Sequence, residues 1–150
     1  MGRVGGAEDV VVRVHDFVAP EGGVDLPSAT GSLEPVGHLV DIPLVLGTQR
    51  VRVTVQVSRI VSPLGKTPRF AIFLDDEPGV IGPVNGDGKL TLPWTDVDDT
   101  TQITVKWQSA PGVTNRLAED ERTRVIISMD IGTRGPGPRG GEGNGIEGTS

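Results

Sequence analysis

Three groups of carboxylates have the residue types for acid–base work: Asp75-Asp76-Glu77, Asp96-Val97-Asp98-Asp99 and Glu119-Asp120-Glu121. Glycoside hydrolysis needs two such groups at a fixed separation across a sugar-holding cleft. All three clusters instead fall where turn residues gather, and short acids there are hydrated and suit turn geometry. His15 and His38 are the two histidines of the chain, the residue type that can serve as a near-neutral base. Neither has a nucleophile, a metal-spaced partner or an orienting third group nearby in sequence, so no catalytic residue is predicted and the chain reads as a non-enzyme. The sequence has no cysteine, which removes disulfides, thiolate chemistry and cysteine-based zinc sites together.

Two strings imitate ligand motifs. Asn85-Gly86-Asp87-Gly88-Lys89-Leu90 resembles the middle of the calcium loop of EF-hand and dockerin proteins. In that frame the first ligand position is Pro83 and the twelfth, normally a bidentate acid, is Trp94, so a hairpin turn is expected and no metal. A looser calcium site would have to draw on Asp75, Asp76, Glu77, Asp96, Asp98 or Asp99. Gly135-Pro136-Gly137-Pro138-Arg139-Gly140 spells the dinucleotide-binding GxGxxG. It opens no helix that could hold a pyrophosphate and has no room for a ribose-binding acid downstream, so no cofactor is predicted.

Aromatic residues make up 3% of the chain, with no tyrosine, which disfavours a lectin built on exposed stacking platforms. Trp107 shares parity with Ile103 and Val105, and Trp94 with Leu90 and Leu92, so both are expected in the core. A sugar-binding module using Trp94 and the 75–99 loops is the alternative reading, with carbohydrate as its ligand.

The elements that would position these residues are strands. Val51, Val53, Val55 and Val57 alternate with Arg52, Thr54, Gln56 and Ser58, the two-residue period of a strand with one wet face. Strands are predicted over 49–60 and, by similar logic, 8–18, 38–46, 69–74, 89–94, 101–108 and 122–131. Residues 46–49 are short enough to join 38–46 to 49–60 as a hairpin. Pro43 marks an edge or bulge. Asn85-Gly86 and Asp87-Gly88 form the next tight turn, and only 114–122 could hold a helical turn. Residues 19–37 are expected to be a functional loop, a contact arm or an extra weak strand. The fold class is therefore all-β, an antiparallel sandwich or jelly-roll-like domain of seven to eight strands over 1–131.

Residues 132–150 form a Gly/Pro-rich tail whose composition cannot build a core of its own and suits an extended arm ordered by a partner. The net charge of −6 and a pI near 4.8 argue against nucleic acid as a partner. Residues 1–9 carry no apolar leader-like run, and no stretch is long and apolar enough to span a bilayer, so a soluble chain is expected. A cysteine-free β-domain joined to a tract such as Gly132-Thr-Arg-Gly-Pro-Gly-Pro-Arg-Gly140 resembles the small β-sandwich decoration and minor tail proteins of tailed phages with GC-rich genomes. That resemblance implies a structural protein located in a virion, with copies of itself and other particle proteins as partners. It transfers no site residue.

Overall fold

The computed structural model describes residues 8–37, 39, 41–119 and 124–134. Along them run β1 (Glu8–Val18), β2 (Val24–Asp25), β3 (Glu34–Pro35), β4 (Thr48–Ser58), β5 (Ile60–Val61), β6 (Arg69–Leu74), β7 (Glu77–Pro83), β8 (Lys89–Asp96), β9 (Ile103–Gln108), β10 (Arg116–Leu117) and β11 (Arg124–Arg134). Seven of these are long. The other four, β2, β3, β5 and β10, have two residues each.

The valine alternation in β4 sets the architecture. Val51, Val53, Val55 and Val57 are buried while Arg52 and Gln56 are exposed and Thr54 is half-buried, as the period requires. β4 lies inside the sheet β1-β11-β4-β8, and a second four-stranded sheet runs β3-β9-β6-β7. All their long-strand pairings are antiparallel. Inner-face residues of both sheets, including Val53, Val55, Ile127 and Met129 from the first and Phe70, Ile72, Ile103 and Val105 from the second, belong to one core. This is the expected sandwich. Trp107 is buried at its heart, edge-on to Phe17 and Phe70 with centroids 5.8 and 6.1 Å away.

A small third sheet, β2-β10-β5, closes one corner. Its anchor is Asn115, which is fully buried with Ser109. The Asn115 Oδ1 accepts from the Ala110 N–H at 2.8 Å, and Nδ2 donates to the carbonyls of Val61 and Lys66 at 3.1 and 2.9 Å. A buried amide so fully engaged rigidifies three loops at once, because leaving any of these groups unpaired costs about 1–3 kcal/mol.

Several expectations need correction. Among the described residues of 38–46 there is no strand: Asp41 takes φ 53°, Pro43 cannot donate, and only Ile42 forms a bridge, to Ile103 of β9. The segment therefore covers the second sheet, and no 38–46/49–60 hairpin forms. In its place β7 was missed, because Pro78, Gly79, Gly82 and Pro83 read as loop. An edge strand tolerates them, and the ladder absorbs Gly79 in a register shift, with Ile72 opposite Val80 and Phe73 opposite Pro78. The turn at 85–88 joins β7 to β8, which belong to different sheets, so it is a corner and not a hairpin between paired strands. Residues 116–117 are strand, not helix, and the only helical piece among the described residues is a 3-10 turn at Pro63–Gly65. The 19–37 segment supplies the weak strands β2 and β3. Finally β11 runs on through Gly132, Thr133 and Arg134, which pair with Val10, Asp9 and Glu8, so the boundary drawn at 131 falls inside a strand. Residues 135–150 lie outside the described residues.

Val55 has no exposed surface. Val55→Asp is expected to lower unfolding free energy by about 3 kcal/mol or more, because it buries an unpaired charge. Gln56→Glu, one residue along on the wet face, should change it by less than about 0.5 kcal/mol. Urea denaturation checks both.

Candidate functional site

Four of the acids singled out by sequence, Asp75, Asp98, Asp99 and Glu119, fasten loops. Asp75 Oδ1 accepts from the Gln102 N–H at 3.1 Å, Asp99 Oδ2 from the Gly47 N–H at 2.9 Å, and Glu119 Oε1 from the Gly22 N–H at 2.9 Å. Asp98 Oδ1 accepts from the Thr100 hydroxyl at 2.6 Å and the Thr100 N–H at 2.9 Å, with the Thr101 hydroxyl at 3.3 Å. Those bonds, the Thr100 hydroxyl first, hold the Asp98 carboxyl below the ordinary aspartate range. Among the described residues no three His, Asp or Glu side chains come together as a metal site. Asp120, Glu121 and His38 lie outside the described residues. His15 sits on the inner side of β1, with its Nε2 buried and unpartnered.

The calcium-like string is occupied by its own turn. Asn85 Oδ1 accepts from the N–H groups of Asp87 and Lys89 at 2.9 and 3.0 Å, and Gly88 takes φ 77° against the Val57 carbonyl, where a Cβ would come within 2.6 Å. An open cleft of about 290 Å³ lies beside it, lined by Val57, Arg59, Ile60, Thr67 and the turn. It gathers no convergent set of polar groups of the kind that orient a ligand.

Trp94 does not join the core. Between the pairs Val51↔Thr95 and Val53↔Leu92, one residue of β4 faces two of β8, Pro93 and Trp94. This is a bulge at a proline that has no N–H for the ladder. The extra residue reverses the parity and turns Trp94 outward, half-buried, where the guanidinium carbons of Arg50 and Arg52 lie 4.5 and 5.1 Å from its ring centroid. Arg52 also donates through Nε to Asp130 Oδ2 at 2.8 Å. The indole that a sugar would need is thus already engaged by arginines.

What remains is a sheet edge, and sequence reasoning missed it. β1 is the terminal strand of its sheet, pairing with β11 over all eleven residues without a register shift. Its outward row, Val10, Val12 and Val14, is 57, 62 and 63% exposed. The signal was in the string: Val10-Val11-Val12 puts valine on both parities, so an apolar outer face accompanies the inner one. Every other free edge among the described strands is blunted. β8 has Pro93 and its bulge, β7 has Pro78 and Pro83 and a bulge, and β2, β3 and β5 have two residues each. Proteins that remain apart normally disarm long, regular edges in these ways.

No protein-family model matches the chain, and no curated protein matches it. No helix among the described residues is long and apolar enough to cross a membrane.

Calorimetric titration with calcium is expected to show no micromolar binding. A micromolar site abolished by Asp87→Ala would mean that the 85–88 turn opens to take the ion.

Proposed function

We propose that this chain is a non-catalytic assembly protein, a subunit that joins copies of itself and neighbouring structural proteins in a larger particle. The observation that carries the reading is β1, the one long, regular, proline-free edge among the described strands, bearing a row of exposed valines. Such an edge offers main-chain hydrogen bonds and apolar contact to an added strand. Asp75, Asp98, Asp99 and Glu119 fit this reading, since their bonds hold loops. The Gly/Pro composition of residues 132–150 suits an extended arm. A phage virion, in tail or capsid, is the setting suggested by the compositional resemblance.

A carbohydrate-binding module ranks second. It would rest on Trp94, and a sugar would have to displace Arg50 and Arg52 from that ring.

Sedimentation velocity of the full chain tests assembly. The expected result is a mass above the 15.7 kDa of one chain that falls on dilution. A one-chain mass at every concentration up to about millimolar would contradict self-assembly. Saturable quenching of tryptophan fluorescence by a glycan, lost in Trp94→Ala, would favour the sugar-binding module.

A further inference from the structure

We propose that two copies of this chain join through β1, antiparallel, in the register that places Val12 opposite Val12 of the second copy. The inference rests on the assembly reading and names its interface. A two-fold axis perpendicular to the sheet would continue one β1-β11-β4-β8 sheet into its copy, keeping the inner faces on one side and the outer faces on the other.

Residues directly opposed in an antiparallel pair share a face. Self-pairing of β1 therefore allows only registers that match even positions with even and odd with odd. Centring on Val12 opposes Val10 to Val14 of the second copy, Val12 to Val12, and Val14 to Val10, so these three exposed valines meet their own kind. On the inner side the exposed Arg13 then meets Val11, an aliphatic neighbour along which its stem can lie. Towards the ends, position 9, an aspartate, comes opposite His15, and position 8, a glutamate, opposite Asp16; that like-charge pair lies at the margin of the ladder, outside the valine row that carries the match.

Matching of the valine row removes the neighbouring registers. Centring on Arg13 opposes two guanidinium groups directly, which is destabilising, and sets Val10 against Asp16, while centring on Val14 sets Val12 against Asp16. Centring on Val11 sets Val14 against Glu8 and breaks the valine row. The Val12 register is the one in which the three exposed valines meet one another across the two-fold axis of an isologous contact, and on that match the occupant proposed is a second copy of this chain.

The sequence has no cysteine, so single cysteines report the register. Val12→Cys should form a covalent dimer readily under mild oxidation, because opposed Cα atoms in a ladder lie about 4.5–5.5 Å apart, within disulfide reach. Val14→Cys, similarly exposed but opposed to Val10, should cross-link at least about tenfold more slowly. A mixture of Val10→Cys and Val14→Cys should yield the heterodimer. Val12→Lys should weaken self-association by at least about tenfold with an unchanged melting temperature at concentrations where the chain is a monomer. Equal cross-linking at positions 12 and 14, or none at 12, overturns the interface. If sedimentation still shows a dimer in that case, the assembly reading stands and only the β1 contact falls. A monomeric wild type overturns both.

Discussion

The ladder between β4 and β11 sets Val51 opposite Ile131, Val53 opposite Met129, Val55 opposite Ile127 and Val57 opposite Val125, and all of these side chains are removed from water. Each is worth about 1.5–3 kcal/mol when fully buried. A slip of one residue would turn the entire set to solvent and bring Arg52, Thr54 and Gln56 inside, so the register is strongly specified. With so few aromatics, the domain depends on this branched aliphatic layer meeting the inner face of the second sheet. The polar network at Asn115 then fixes the corner where apolar residues are scarce.

The same central pair decides where the sheet is open. β11 and β4 are each flanked on both sides, so pairing ends at β8 on one side and β1 on the other. On the β8 side, Pro93 forces a bulge, and the bulge sends Trp94 out to stack with Arg50 and Arg52. On the β1 side, eleven consecutive pairs run without interruption. One edge is therefore disarmed by local covalent geometry and the other is left regular and apolar, which is why the proposed interface is placed at β1.

Much of this was legible from period and punctuation. The two-residue alternation located β1 and β6 to the residue and β4 to within two at either end, and it gave the inner face of β4 and the burial of Trp107. It failed where proline and glycine carried a meaning that depends on tertiary position. In β7 they mark an edge strand and not a loop. At Pro93 they invert parity, so Trp94 was assigned to the wrong face, and around Pro43 they end a ladder that alternation alone would have continued. The edge character of β1 could not be read at all, because whether a strand is central or terminal depends on which strands pair beside it. Its valines on both parities were the available hint. The buried network around Asn115 gave no signal, since its partners at Leu26, Val61, Lys66 and Ser109 come from separate loops.

An exposed apolar edge is costly to leave in water, and in a monomer nothing described here would cover it. If β1 is the interface, its protection against exchange must depend on protein concentration, whereas that of the enclosed β4 and β11 must not. Hydrogen–deuterium exchange read residue by residue over a range of concentrations measures this directly. The account predicts that the β1 amides directed away from β11 become protected as concentration rises and that β4 amides stay protected throughout. Exchange in β1 that is the same at every concentration, in a chain that nonetheless associates, would contradict it.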